Sequence, residues 1–343
     1  MTNTAPFTIR DALARLIERD DLSEAQAAAC MEELMTGAAT PAQFAAFVTA
    51  LRMKGESVDE IAGMARVMRE KASRIEVTGP VLDTCGTGGD QSGSFNVSTC
   101  AAFIAAGAGA RVAKHGNRAM TSQCGSADVL EALGAKIDLA PQQVAACIER
   151  AGIGFMFAQT FHPAMRHVAP SRREIGIRTV FNMLGPLTNP AGATMQVVGV
   201  AHAQLVEKVA AVLARLGSRR ALVVHGDDGF DELSISGPST VAQLSDGAVR
   251  TYRVTPEDAG LARHDIGYLR GGTPGQNATE LRLVLEGAPG PLRDFSLINA
   301  AAALVAWGAA PDLAGGVRVA AESIDSGAAT AKLDAFVAAT NAV

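Results

Sequence analysis

The stretch VLDTCGTGGDQSGSFNVSTCAAFIAAG, residues 81–107, decides how the rest of the chain is read. The strand-like Val81–Thr84 runs into a glycine cluster at Gly86, Gly88 and Gly89. A hydroxyl-rich segment at 94–99 then enters the helix-like Cys100–Gly107. Strand, glycine turn and helix in that order begin a βα unit. Glycines let backbone amides approach an anion closely, and hydroxyls and amides at a helix start make a ready anion site. Two familiar phosphate signatures fail here. A dinucleotide fingerprint needs Gly at 91, where Gln91 stands; a Walker-type loop begun at Gly88 reaches Gly93 but has Ser94 where Lys is required. From the loop alone, an anion cradle and a tight turn with Ser/Thr capping both remain open.

Downstream, short apolar runs at Arg111–Lys114, Ile153–Phe157, Met195–Val200 and Ala221–His225 alternate with helical stretches such as Ala203–Leu216. That alternation predicts an α/β domain with a mainly parallel central sheet. From Leu233 to Val254 the strands shorten around Gly-Pro and Asp-Gly turns, which fits an antiparallel edge. Upstream, the first 75 residues read as helices only. Ser23 with Gln26, Thr40 with Gln43 and Ser57 with Glu60 form capping boxes 17 residues apart. Pro41 suits a first helical position, and Gly37 and Gly55 suit helix ends. Leu34, Phe44, Phe47, Val48 and Leu51 recur at helical spacing as core or subunit contacts. So small a module buries little surface alone and leans on another domain or a second subunit. The helix-like His162–Pro190 interrupts the alternation, and a return of this segment onto the N-terminal helices would make the helical domain discontinuous.

A chain of 343 residues corresponds to about two domains at ~150 residues each. With 48% apolar and 19% charged residues it is too apolar for disorder. Aromatics at 4% and a net charge of −5 argue against single-stranded nucleic-acid stacking and against anionic membranes. No apolar run approaches the ~18 residues of a membrane span, and the acid-bearing N-terminus is not a signal peptide. A cytoplasmic protein is expected. The cysteines at 30, 85, 100, 124 and 147 contain no CxxC, so they read as small buried hydrophobes and not as a zinc or disulfide framework. His162 and His167 lie five apart around Pro163, off the helical spacing of paired metal ligands.

Two further segments carry chemistry. KHGNRAMTS at 114–122 leaves a strand with three basic or imidazole side chains, an amide and two hydroxyls. Residues 91–127 contain Arg111, Lys114 and Arg118 but no carboxylate, and the stretch between Glu149 and Glu174 contains Arg166, Arg172 and Arg173 with none either. In an acidic protein such gaps point to a polyanion site, phosphate foremost, where a solvated loop is the plain alternative. Asp231-Glu232 follows the run Ala221–His225 and the loop GDDGF at 226–230. Neighbouring carboxylates can both address Mg²⁺, although adjacent surface acids are ordinarily just solvated.

Taken in order, GTGGD (86–90), NVST (96–99), KHGNRAMTS (114–122), GSADVLEALG (125–134), FHPAMRHVAPSRREIGIRTVFNMLGPLTNP (161–190) and DE (231–232) resemble the anthranilate phosphoribosyltransferases. The match spans roughly residues 80–235, and the helical start agrees with it. Met120-Thr121 departs mildly from the small residue and Ser of many relatives, keeping a hydroxyl. The resemblance implies a fold of nucleoside-phosphorylase/phosphoribosyltransferase type, with a small helical domain (1–76 with 166–190) beside a larger α/β domain (77–165 with 191–343), and a homodimer through the helical part. It implies that 5-phosphoribosyl 1-diphosphate meets Gly86, Gly89, Asp90, Ser94, Asn96, Val97, Ser98, Thr99, Lys114, His115, Gly116, Asn117, Arg118, Ala119, Met120, Thr121, Ser122 and Ser126. Anthranilate would meet Gly86, Asn117 and Arg172, and Mg²⁺ would be held through Ser98, Asp231 and Glu232.

The implied reaction joins C1′ of the phosphoribosyl group to the anthranilate nitrogen and releases diphosphate. Positive charge develops on the sugar and negative charge on the leaving group, so positioning and electrostatics carry the catalysis. The arylamine is unprotonated at neutral pH and needs no strong base. No residue is assigned that role; for His115, assistance to the acceptor and a hydrogen-bonding or positioning role both stay open. Arg172 suits the acceptor carboxylate because its planar fork pairs two oxygens. Two other readings are distinguishable: a pyrimidine-nucleoside phosphorylase, by a phosphorolysis assay, and a nucleic-acid binder of the same fold, by a gel shift.

Overall fold

The computed structural model describes residues 7–89, 93–119 and 123–343. Helices α1 (Ile9–Leu16), α2 (Glu24–Thr36), α3 (Pro41–Lys54) and α4 (Val58–Lys71) open the chain. The three expected capping boxes all form, and Gly37 closes α2 in the left-handed region at φ 78°. A fourth box, Thr8 with Asp11, starts α1. Buried Glu60 ties the bundle together: it accepts from Leu22 N, Ser57 N and Lys54 Nζ.

The α/β unit then runs through β1 (Leu82–Gly86), α5 (Val97–Gly107), β2 (Val112–Gly116), α6 (Ser126–Ala132), α7 (Pro141–Ala151) and β3 (Ile153–Phe157). Short helices α8 (Ala158–Phe161), α9 (Ala169–Ile175) and α10 (Phe181–Leu184) interrupt it. It resumes with β4 (Met195–Gly199), α11 (Val206–Arg215), β5 (Arg220–Gly226), β6 (Ser239–Ser245) and β7 (Ala248–Val254). Helices α12 (Pro274–Leu285), α13 (Pro291–Trp307), α14 (Leu313–Asp325) and α15 (Ala328–Asn341) end the chain.

The sheet order is β3-β2-β1-β4-β5-β6-β7. The first five strands are parallel, while β6 and β7 form the antiparallel edge. Their hairpin turns on Asp246-Gly247, both at positive φ, as a two-residue turn matched to strand twist requires. Successive strand residues alternate between two cores. Leu222 and Val224 join α5, α7 and α13–α15 on one face; Ala221 and Val223 join α11 and the N-terminal helices on the other. Val168, Phe181, Met183, Leu184 and Leu187 lie in that second core, and Phe181 packs on Phe44 with ring centroids 5.5 Å apart. The chain winds outward in opposite directions from β1 and from β4. Their boundary is a topological switch point, where open parallel sheets leave a crevice beyond the carboxyl ends of the strands.

Candidate functional site

At that crevice β1 and β4 both end in glycine, and both glycines are imposed by Asp231. A Cβ on Gly86 would stand 2.3 Å from Asp231 Oδ2, and one on Gly199 would stand 1.4 Å from the Asp231 carbonyl oxygen. Asp231 is 7% exposed, and its Oδ2 accepts from Gly88 N at 2.8 Å. Thr87 N donates to Gly199 O, so the glycine loop is clamped between the β4 end and the β5–β6 connection. Glu232, the next residue, is half-buried, and its charge reaches the Lys114 ammonium.

Lys114 lies in β2 and is buried. Its Nζ donates to the carbonyl oxygen of Thr84 and to Ser98 Oγ, the latter at 3.3 Å. Burial pulls its pKa down, while Asp83, Cys85 and Glu232 act to keep it charged. Asp83 is fully buried and accepts from His115 N and Asn189 Nδ2; burial raises its carboxyl against the attraction of Lys114. The Ser98 hydroxyl, the Lys114 ammonium and the Asp231-Glu232 pair thus meet where β1, β2 and β5 end. Ser98 sits in the first turn of α5, whose N-terminus favours negative charge.

The remaining expected residues fall into distinct environments. Val97 and Thr99 are fully buried, so they face a ligand only through backbone. Gly116 makes room for Ser126 Oγ, 2.2 Å from where its Cβ would be, and Ser126 Oγ donates to Asn117 O. Asp128 gathers the amides of Ala119 and Gly125, folding the two strands of this loop onto each other. Ser94 bridges to Arg270 in an antiparallel pair, and the Asn96 side chain is engaged with Asn277 and the Cys124 carbonyl. Arg172 lies on α9, half-buried, with its guanidinium 5.2 Å from the Phe181 ring centroid. Its guanidinium makes no hydrogen bond or ion pair among the described residues. Neighbouring Arg173 is exposed. Asp90, Met120, Thr121 and Ser122 lie outside the described residues.

Two sequence inferences need adjustment. The gap in acidic residues at 91–127 does not mean free positive charge. Arg111 sits at the opposite end of β2 and pairs with Glu149, and exposed Arg118 pairs with Asp128 and Glu131. Carboxylates distant in sequence neutralise both in space. His115 is buried and its Nδ1 donates to Gly185 O at 3.2 Å, its ring 5.0 Å from that of His162. Burial and the adjacent His162 push its pKa down to about 3, which makes it a weak base at neutral pH. Arg178 escaped the sequence reading because it follows Glu174. Its buried Nη1 has no partner among the described residues and would lie 1.9 Å from a Cβ on Gly89, so the segment after α9 packs directly on the glycine loop.

Comparison with known proteins agrees with this geometry. Residues 78–330 match the glycosyl transferase family a/b domain, and residues 10–72 match that family's helical bundle domain. An anthranilate phosphoribosyltransferase of Chloroflexus aggregans is 59% identical over 334 residues, covering 97% of this chain and 98% of that one. The Moorella thermoacetica enzyme of the same name is 59% identical over 95% of this chain and 96% of its own. The crystal structure of anthranilate phosphoribosyltransferase from Thermus thermophilus superposes with a TM-score of 0.92 at 47% identity, covering 96% of this chain and 99% of that one. The Saccharomyces cerevisiae enzyme in complex with PRPP and Mg gives 0.88 at 29% identity, with 98% of each chain covered. With the helical bundle, the switch-point crevice and near full-length similarity all in agreement, the chain belongs to the anthranilate phosphoribosyltransferase family.

Proposed function

We propose that the crevice at the β1/β4 boundary is where this chain carries out its family's reaction. The enzyme transfers the phosphoribosyl group of 5-phosphoribosyl 1-diphosphate to the amine of anthranilate, a step of tryptophan biosynthesis. The observation that carries the placement is the convergence of the Gly86–Gly89 loop, the Lys114–Ser98 pair and Asp231-Glu232 on the carboxyl ends of three strands. Loop amides, the α5 N-terminus and Lys114 suit the phosphates of the donor. Arg172, a guanidinium on an aromatic ring with no carboxylate partner among the described residues, suits the acceptor carboxylate. His115, neutral and buried, serves packing and orientation better than proton transfer.

The residues present fit Mg²⁺. Two adjacent carboxylates and the Ser98 hydroxyl form a hard oxygen set, with one carboxylate oxygen already oriented by Gly88 N. Such a set leaves positions for water and phosphate oxygens, as Mg²⁺ prefers. Ser98, Asp231 and Glu232 would hold the ion, which when bound stabilises charge building on the leaving diphosphate. Lys114 adds a fixed positive charge from beneath the site, in a setting of low polarity where it acts more strongly than in water.

The helical unit is read as 1–76 with 166–190, and the α/β unit as 77–165 with 191–343; the packing of Phe181 on Phe44 of α3 supports placing 166–190 with the N-terminal helices. Ile17, Met53 and Ile177 are more than half exposed and all lie in the helical unit, which supports a homodimer through that part. Five free cysteines agree with the reducing cytoplasm. Loss of anthranilate fluorescence on mixing protein, donor and Mg²⁺ tests the reaction. Fluorescence that stays constant over many enzyme equivalents would refute it.

A further inference from the structure

We propose that Asn277, far from the loops in sequence, is a positioning residue for the donor half of the crevice; this rests on the placement of the donor given above. Residues 269–272 run antiparallel along the loop that follows the glycine cluster. Phe95 N donates to Leu269 O, and Gly271 N donates to Gly93 O at 2.8 Å. The approach is so close that a Cβ on Gly271 would lie 2.7 Å from Ser94 O. Asn277, in the first turns of α12 and 2% exposed, locks this strap in place. Its Oδ1 accepts from Gly272 N at 2.6 Å, and its Nδ2 donates to Asn96 Oδ1 at 2.7 Å. Asn96 Nδ2 in turn donates to Cys124 O at 3.1 Å.

One buried amide therefore sets a second, and the second joins the loop entering α5 to the loop entering α6. Those two loops carry Ser94, Ser98 and Ser126. Both ends of the Asn96 amide are occupied by protein groups, so its side chain acts here as a fastener between loops. Asn277 fixes which way that amide points, because its Nδ2 can donate only to the oxygen end.

The test uses the full chain and six variants. Asn277→Asp keeps the acceptor for Gly272 N but sets an oxygen against Asn96 Oδ1; Asn277→Ala removes both bonds. Each is expected to raise the donor KM about tenfold, by loss of a buried hydrogen bond that orders two ligand loops, with the anthranilate KM within about twofold of the parent. Asn96→Ala should raise the donor KM comparably, and the Asn96/Asn277 double variant should be little worse than either single one. Thr273→Ala weakens the same helix start through its capping box without touching Asn96, and should lower Tm while leaving the donor KM in place. Equal rises in both KM values, additive single effects, or a donor KM moved as far by Thr273→Ala would overturn the proposal. If the donor were bound elsewhere, Lys114→Met would also leave its KM unchanged; a failure confined to Asn277, with Lys114→Met still impaired, refutes the positioning role alone.

Discussion

Replacing Arg172 with alanine tests the acceptor assignment most directly. The guanidinium is half-buried, stacked on Phe181 at 5.2 Å, and has no carboxylate partner among the described residues. Burial lowers its pKa, so the group bears a desolvation cost that an incoming carboxylate would offset. A charge-assisted bidentate contact is worth about 1.5–3 kcal/mol, which converts to a roughly 10- to 150-fold rise in the anthranilate KM. The donor KM should move much less. Arg172→Lys keeps the charge but not the fork and should fall between parent and alanine variant. Loss of the contact with Phe181 should also cost about 0.5–1 kcal/mol of stability, so urea unfolding is run beside the kinetics to separate the two effects. Aniline, which has no carboxylate, should be a poor acceptor for the parent and lose little further in the variant. Exposed Arg173→Ala is the control. If Arg172→Ala and Arg173→Ala change both KM values alike, the effect is diffuse electrostatics and the assignment fails.

Asp231→Asn with Glu232→Gln should cut turnover by orders of magnitude and raise the Mg²⁺ needed for half-maximal rate while circular dichroism stays native; parental Mg²⁺ dependence would count decisively against the pair as a metal site. Lys114→Met, which keeps the length of the buried side chain, should weaken donor binding about tenfold or more by calorimetry, and unchanged affinity at two salt concentrations would return Lys114 to a purely structural role. His115 and His162 have folded pKa values of about 3 and about 4 because burial disfavours imidazolium. The unfolded chain, at ~6.5, binds more protons between those values, so stability is intact above about pH 6.5 and falls as pH drops toward 4, by about 2 kcal/mol per histidine at pH 5. Urea unfolding at pH 7 and pH 5 should therefore show a shallower loss in His115→Gln/His162→Gln than in the parent, and parallel losses would contradict the buried neutral pair.

Local signals account for what could be read without coordinates. A capping box is a contract among four consecutive residues, so Ser23, Thr40 and Ser57 marked helix starts directly. Strands expected at 81–85, 111–114, 153–157, 195–200 and 221–225 appear within a residue or two, because each is a short apolar run bounded by turn chemistry. Asp246-Gly247 announced its hairpin in the same way. The glycine loop, the basic loop and the carboxylate pair were likewise visible as segments, and their order carried the family resemblance.

Tertiary structure decided what those segments do to one another. Charge spacing along the chain overstated the free positive potential, since Glu149 and Glu131 reach Arg111 and Arg118 only through the fold. Lys114 was legible as a cation, but its burial beneath the site depends on Thr84 and Ser98 from a neighbouring strand and helix. Arg178 against Gly89, and Asn277 against Asn96, join residues 89 and 181 positions apart; no periodicity or motif encodes such a pair. Interactions among near neighbours made the helix starts of the first 75 residues, the five parallel strands and the chemical groups at their ends legible. Sheet order did the rest: by reversing direction at β1 and β4 it brought three strand ends to one crevice, and only there do distant groups come close enough for Coulomb forces and hydrogen bonds to act between them.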